Sequence, residues 1–208
     1  MKKTIINNLF PIPVYSTGIN RNFTKKEIDF VRDQKNYCSN NAGNTHTIDS
    51  YILNKPELKK IKKFLDECCK DYLKTIICPQ NNIELYITQS WLNYTEENQH
   101  HHMHEHPNSI VSGVLYFDSD KNNDKIKFFN PLKYKPISIK IDETKFNTWN
   151  SDSWWFAVET GQLLMFPSST THKVDVKKGS NTRISLSFNT FYKGTLGSNK
   201  DLTELILP

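Results

Sequence analysis

The sequence predicts an α+β fold, in which two N-terminal helices precede a β-rich part of jelly-roll or barrel type. Apolar residues recur at three- and four-residue spacing before residue 80, which is typical of amphipathic helices. Beyond residue 80 they occur in short runs, many of them alternating with polar residues and most bounded by Asn, Asp, Gly, Pro or Lys. Helices followed by about eight short strands indicate the α+β class.

The chain is expected to form a single domain, residues 1–208. Its 208 residues, 37% of them hydrophobic, are enough for one packed core. We divide it into an extended segment with helices (1–80), a β core (81–193) and a tail (194–208). Residues 9–15 are apolar but contain two prolines, which favours an edge segment because proline cannot donate a ladder hydrogen bond. The tail is expected to be flexible from Gly194 to Lys200, with Leu202, Leu205 and Ile206 returning to the domain.

The first helix has a clear start signal. Thr24 and Glu27 have the spacing of a capping box, and Phe23 and Ile28 that of the hydrophobic staple around it. We expect this helix to run to about Tyr37.

The second helix is expected to begin at Asn54, with Asn54 as the N-cap, Pro56 in the first turn and Glu57 near the positive end of the helix dipole. One apolar stripe then predicts a helix of about five turns lying against a sheet. The residues of this stripe are Leu58, Ile61, Phe64, Leu65, Cys68, Tyr72 and Ile76. The polar stretch from Ser39 to Thr47, between the helices, is interpreted as a loop.

The strands begin after Pro79. Ile83, Leu85 and Ile87 alternate with polar residues and lead into Trp91–Tyr94. Further strands are predicted at 109–118, 125–130, 135–141, 153–158, 162–166, 170–176 and 182–192.

Charge and cysteine usage exclude little. The net charge is +5, and the densest basic cluster, Lys59–Lys63, is better interpreted as the solvated face of the second helix than as a nucleic-acid site. The four cysteines form no CxxC pair and have no histidine at zinc-finger spacing, which favours free thiols in a reducing compartment. No run approaches the roughly 18 apolar residues of a membrane span and no signal peptide is recognised, so the expected location is cytoplasmic.

Five of the seven histidines lie between Gln99 and Pro107. In an extended chain His100, His102, His104 and His106 would share one face, and two imidazoles at positions i and i+2 can bind one metal ion. Imidazole suits iron, zinc, copper and nickel. Because the tract leads directly into the strand at 109–118, we predict a metal site here and not a histidine-rich surface loop.

A second segment places another histidine and an arginine at strand ends. The strand from Gly161 to Phe166 leads through a turn to His172. In the last strand, Ile184, Leu186 and Phe188 face one way, while Arg183 and three small polar residues face the other. A guanidinium there can hold a carboxylate through two parallel hydrogen bonds, and the Ser185 hydroxyl can add a third.

Together these residues resemble a family of 2-oxoglutarate-Fe(II) oxygenases that is frequent in phages and marine bacteria. The resemblance extends over nearly the whole chain. It is carried by His104–Ser109, Ser112–Val114, Tyr116, Gly161–Ser168, His172, Arg183–Ser185, Phe188 and Asn189, with Leu9–Pro11 resembling the family's opening.

The resemblance implies a double-stranded β-helix that holds Fe(II) at its open end. By position, His104 and His106 would be the proximal ligands and His172 the distal ligand. Arg183 would hold the distal carboxylate of 2-oxoglutarate with help from Ser185, and no catalytic residue is predicted beyond the metal ligands. The wider superfamily uses His-x-Asp or His-x-Glu, so His106 replaces the usual carboxylate. A register in which His102 and His104 form the pair is ranked second.

The implied function is hydroxylation of an unknown small-molecule or protein substrate, with release of succinate and CO2. Trp91, Asn93 and Tyr116 are candidates for pocket-lining residues or for the core. Two alternatives are a cupin-like three-histidine dioxygenase that takes no 2-oxoglutarate and an inert β-helix that binds a metal or ligand. No membrane or nucleic-acid partner is expected, and homo-oligomer formation is left open.

Overall fold

The computed structural model describes residues 3–131 and 139–208, which form two α-helices and two antiparallel sheets. The helices are α1 (Lys25–Asp33) and α2 (Lys59–Tyr72). The strands are β1 (Tyr15–Gly18), β2 (Cys38–Asn40), β3 (Thr45–Thr47), β4 (Ile83–Thr95), β5 (His101–His104), β6 (Val111–Asp118), β7 (Lys125–Phe129), β8 (Ser153–Ala157), β9 (Gln162–Pro167), β10 (His172–Val174), β11 (Arg183–Leu196) and β12 (Leu205–Leu207).

The α1 start signal is confirmed. The Thr24 hydroxyl accepts from the Glu27 amide at 3.3 Å, and the Glu27 carboxylate accepts from the Thr24 amide at 2.7 Å. Two of the donors that a helix start leaves unpaired are thereby satisfied. The α-helix ends at Asp33 and continues as a 3-10 turn from Gln34 to Tyr37, so the helical segment ends where the sequence predicts.

The predicted start of the second helix is wrong. Two short 3-10 turns, Ile52–Asn54 and Pro56–Leu58, precede α2, which begins only at Lys59 and has no side-chain cap. Ile52, Leu53 and Leu58 are buried, so tertiary packing of these turns replaces the capping that Asn54 was expected to provide. The predicted stripe is buried at Leu58, Ile61, Leu65, Cys68 and Tyr72, and Ile76 is exposed in a π-helical turn beyond α2.

The polarity of residues 39–47 predicted a loop, and this prediction is wrong for most of the segment. These residues contain the hairpin of β2 and β3, which extends the edge of the large sheet by pairing with β4. The turn between these strands places Ala42 and Gly43 at positive φ, and a Cβ on Gly43 would lie 2.7 Å from the carbonyl oxygen of His100. The hairpin therefore packs directly against the start of the histidine tract.

The large sheet, as far as the described residues define it, has the strand order β1-β9-β6-β11-β4-β3-β2, with β12 added beside the end of β11. Its centre is the pairing of β4 and β11, two long strands in register from Arg183 opposite Thr95 to Gly194 opposite Ile83, with one bulge. The β11–β12 pairing brings Leu205 and Ile206 back to the sheet, while both side chains stay exposed.

The small sheet has the order β5-β10-β7-β8 and packs against one face of the large sheet. Most strand bounds follow the sequence prediction closely, and β11 extends further than predicted, to Leu196. The strand predicted at 135–141 falls mainly on residues outside those that the structure describes.

Two hydrophobic cores cover the two faces of the large sheet. One packs the helices against Leu92, Leu115, Leu186 and Phe188, and the other packs Tyr116 and Phe166 against small-sheet residues such as Phe128. The alternation on β11 is confirmed, because Ile184, Leu186 and Phe188 lie in the helix-side core while Arg183, Ser185 and Ser187 line a cavity between the sheets. The architecture is the predicted jelly roll with two helices on the larger sheet.

Candidate active site

The cavity lies between the two sheets and is lined from both. β4 contributes Trp91 and Asn93, and β6 contributes Ser112, Gly113, Val114 and Tyr116. The remaining polar lining is His101, His104, His106, His172, Arg183, Ser185 and Ser187. Trp91, Asn93 and Tyr116 thus line the pocket, and Tyr116 also packs within the core between the sheets.

His104, His106 and His172 are brought together by strand pairing. His172 on β10 lies directly opposite His104 on β5, and His106 follows two residues after the end of β5. One ring nitrogen from each histidine lies within 4.8 Å of those of the other two. Three convergent imidazoles at this separation can bind a single transition-metal ion.

Backbone carbonyls orient two of these rings. His104 Nδ1 lies 2.8 Å from the His102 carbonyl oxygen, and His172 Nδ1 lies 2.9 Å from that of Thr170. Because a carbonyl can only accept, Nδ1 must carry the proton in both rings, which leaves the Nε2 lone pairs free. This is the arrangement of metal-binding histidines, whose other N–H is usually held by a carbonyl or carboxylate.

The predicted alternation along the tract is wrong at His101. A register shift between His172 and Val174 on β10 places His101 beside His104, with ring centroids 4.5 Å apart and ring planes 14° apart. His101, His102 and His104 consequently form a second group of nitrogens within 4.8 Å. His104 belongs to both groups, while only the group with His106 includes the distal histidine.

Burial keeps the cluster neutral. Desolvation, with repulsion from neighbouring imidazoles, lowers the pKa of His106 to about 4, of His172 to about 3 and of His101 to about 2. Burial also lowers the pKa of His104, against the bond to the His102 carbonyl. Neutral imidazoles are the form that binds a metal, so no proton has to be displaced at neutral pH.

No carboxylate joins either histidine group among the described residues. Glu105 is exposed, and its carboxylate accepts a hydrogen bond from the Thr171 hydroxyl.

Arg183 lines the cavity and is 3% exposed. Its Nη2 donates to the Thr95 hydroxyl at 3.0 Å, and its Nε has no hydrogen-bond partner among the described residues. Burial lowers the pKa of Arg183, while Tyr116 and Asp124 act in the opposite direction. Ser185 follows on the same face of β11, so the pair lies together as predicted.

The residues fit both groups that the fold implies. The histidine nitrogens converge as a metal requires, and Arg183 Nε is a buried donor to which the described residues offer no partner, so that a carboxylate would satisfy it. The carbonyl oxygen of the Asn93 side chain is likewise buried without a partner in the described part of the chain.

Sequence reasoning missed several charged and polar residues around Arg183. Thr95, Asp124 and Lys177 are buried beside it, although Asp124 and Lys177 stand in hydrophilic turns of the sequence. Nothing local distinguishes these turn residues from solvated ones. His101 was assigned to the opposite face because strict alternation cannot anticipate a bulge.

A jelly roll whose two sheets enclose clustered histidines and a buried arginine has the architecture that the sequence led us to expect of a non-haem metal-dependent oxygenase. Residues 89–189, a little under half of the chain, match the family described as "Putative 2OG-Fe(II) oxygenase". The resemblance seen in the sequence is thereby confirmed for these residues, which make up most of the β core. The protein is a 2-oxoglutarate-dependent oxygenase, and the cofactors that the matched family's description specifies are Fe(II) and 2-oxoglutarate.

Solved structures show the same fold at low sequence identity. A 2OG-Fe(II) oxygenase family oxidoreductase from Burkholderia pseudomallei is 13% identical, with a TM-score of 0.54 over 78% of this chain and 75% of that one. HygX from Streptomyces hygroscopicus, solved with nickel, 2-oxoglutarate and hygromycin B, is 9% identical, with a TM-score of 0.56 over 86% and 82%. A Pseudomonas putida prolyl-4-hydroxylase is 11% identical, with a TM-score of 0.52 over 86% and 92%.

No curated protein matches the sequence significantly. Within the described residues, no helix is both long and apolar enough to cross a membrane.

Proposed function

We propose that this oxygenase hydroxylates its substrate and that His104, His106 and His172 hold the iron. The observation that carries the proposal is the convergence of these imidazoles in a cavity that is also lined by Arg183. Bound iron and 2-oxoglutarate supply the oxidation: one atom of O2 enters succinate, CO2 leaves, and the other atom enters the substrate as a hydroxyl group.

The chain's own residues bind and orient. Arg183 and Ser185 hold the distal carboxylate of 2-oxoglutarate, in a position where the guanidinium is desolvated and fixed by Thr95. A desolvated, preoriented guanidinium binds a carboxylate more strongly than a solvated one, because little ordering remains to be done. Trp91 lies 5.9 Å from the His106 ring, between centroids, and covers the cavity on the β4 side.

We also propose a cytoplasmic location, and the state of the cysteines supports it. All four cysteines are free, and Cys68 and Cys69 are buried thiols on α2. Burial raises the pKa of Cys69 to about 12 and of Cys68 to about 11, so both stay protonated and unreactive.

The test is an anaerobic titration with Fe(II), with and without 2-oxoglutarate, that follows the weak visible charge-transfer band of the iron chelate. We expect the band only when both are present. Arg183→Ala should bind iron normally but require at least about tenfold more 2-oxoglutarate, as expected for loss of a charged hydrogen bond. Arg32→Ala replaces an exposed arginine on α1 that lies outside the cavity. It is the matched control and should behave as the parent.

Bound iron without any 2-oxoglutarate band would contradict the proposal. That result would favour a three-histidine dioxygenase or an inert binding module. Iron-dependent formation of succinate, measured in the same preparation under air, separates turnover from binding.

A further inference from the structure

Arg183 belongs to a buried group of three charged side chains, completed by Asp124 and Lys177. Asp124 is 1% exposed and Lys177 2%. One carboxylate oxygen, Asp124 Oδ1, lies 3.9 Å from Arg183 Nη1 and also 3.9 Å from Lys177 Nζ. The carboxylate therefore lies at the same distance from two cations, and the three side chains together carry a net charge of +1.

Other contacts hold Lys177 in place. Its ammonium donates to the Asn181 side-chain oxygen at 2.9 Å and to the Lys178 carbonyl oxygen at 3.1 Å. Its backbone bonds to the segment before the histidine tract, through the Lys177 amide to Gln99 and the Asn98 amide to Lys177. Lys177 also acts electrostatically on the carboxylates of Glu96 and Asp120, but its ion pair among the described residues is with Asp124.

Only one of the two carboxylate oxygens of Asp124 accepts a hydrogen bond from the described residues. Its Oδ2 accepts from the Asp120 amide at 2.8 Å, while Oδ1 has no hydrogen-bond partner in the described residues. A buried carboxylate in this state would bind the nearest guanidinium fully if no other cation competed for it. Arg183 Nε also has no hydrogen-bond partner among the described residues. Arg183 and Asp124 therefore lie close to one another as an ion pair without a direct hydrogen bond between them.

We propose that Lys177 is a positioning residue for 2-oxoglutarate, which keeps Arg183 available by competing for Asp124. This rests on the proposed function of Arg183. The distal carboxylate of the co-substrate would be the second anion, and it would give the two cations two carboxylates. Without Lys177, no second cation would compete for Asp124, and its carboxylate would occupy the guanidinium that the co-substrate needs.

The test measures 2-oxoglutarate binding to Mn(II)-loaded protein by calorimetry, independently of turnover. Lys177→Met should weaken binding about tenfold or more, the effect of removing one charged contact. Asp124→Asn in the same chain should restore most of the affinity, because the competing charge is gone. Lys177→Arg should retain parental affinity, and Lys178→Met, at the exposed neighbouring lysine, is the matched control.

A second probe separates positioning from general damage. 2-Oxovalerate has the keto-acid end of 2-oxoglutarate but a methyl group in place of the distal carboxylate, so Lys177→Met should not change its affinity. The inference would be overturned if Lys177→Met lowered the affinity for both ligands equally. It would also be overturned if adding Asp124→Asn did not restore 2-oxoglutarate binding. If Lys177→Met does not fold, the double variant decides, since its loss of 2-oxoglutarate binding would also overturn it.

Failure of the proposed function gives a different result. Parental protein that binds Mn(II) but not 2-oxoglutarate would refute the role of Arg183, and the role of Lys177 with it. Parental binding that persists unchanged in Lys177→Met would refute the role of Lys177 alone.

Discussion

At the residue scale, the site depends on which nitrogen of each histidine is free. The bonds from His104 and His172 to carbonyls two residues earlier fix both tautomers before any metal arrives. The same local device at two unrelated positions leaves both Nε2 atoms free on paired strands. His102 differs, because its Nδ1 is buried without a partner among the described residues.

This difference predicts a ranking of alanine variants by iron affinity. His172→Ala, His104→Ala and His106→Ala should each lose nearly all bound iron. Their iron affinity should fall by more than the roughly hundredfold that the loss of an outer-sphere partner costs. His102→Ala should have a mild effect. Metal content after gel filtration measures the ranking.

The reverse order would identify the other group. If His102→Ala loses iron and His106→Ala keeps it, then His101, His102 and His104 are the ligands. Unchanged iron in His172→Ala would remove the distal histidine from the site.

At the element scale, the start of α1 combines a capping box with an ion pair. Arg21 donates two hydrogen bonds to the Glu27 carboxylate, at 2.7 and 2.8 Å, and Glu27 is buried while Arg21 is one-third exposed. Burial by itself raises the pKa of Glu27, but the bonds from Arg21 and Thr24 outweigh it and hold this pKa below its ordinary value of 4.5. A carboxyl group with a lowered pKa stabilises the fold above the unfolded-state pKa and loses that contribution as the pH falls through the folded-state value.

We therefore predict that Glu27→Gln lowers the free energy of unfolding by about 1–2 kcal/mol at pH 7, as for loss of charged hydrogen bonds. The difference from the parent should shrink as the pH falls through the lowered pKa of Glu27, because the parental carboxyl then becomes protonated. Urea denaturation at several pH values measures this. Glu97→Gln, at an exposed site, serves as the control, and a difference that stays constant with pH would contradict the charge-based explanation.

At the scale of the whole molecule, the site joins the two sheets. His104 and His172 lie on small-sheet strands, whereas Arg183 and Ser185 lie on β11 at the centre of the large sheet. A metal with its co-substrate would thus contact both layers at once. Ligands that bind only the folded state stabilise it in proportion to their binding free energy.

Metal and 2-oxoglutarate together should raise the melting temperature, with a stabilisation of about 2.7 kcal/mol for each ligand at one hundred times its dissociation constant. Arg183→Ala should keep the shift caused by Mn(II) and lose the further shift caused by 2-oxoglutarate. His172→Ala should lose both. Anaerobic differential scanning calorimetry gives these shifts, and a full 2-oxoglutarate shift in Arg183→Ala would contradict the assignment.

The sequence by itself determined the features that depend on local pattern. The capping box of α1, the stripe of α2, the strand positions and the opposite faces of Arg183 and Phe188 all follow from spacing along the chain. The histidine pair and His172 were also recognisable, because a strand end orients its side chains predictably. The roles of these histidines and of Arg183 stay predictions.

Only the tertiary structure decided what depends on contacts between distant segments. Packing of the turns before α2 replaced the cap expected at Asn54, and pairing with β4 turned residues 38–47 into a hairpin. The bulge opposite β10 brought His101 into the cavity, and the meeting of two turns buried Asp124 and Lys177 beside Arg183. These outcomes depend on the energy of burying groups far apart in sequence, which no local pattern encodes.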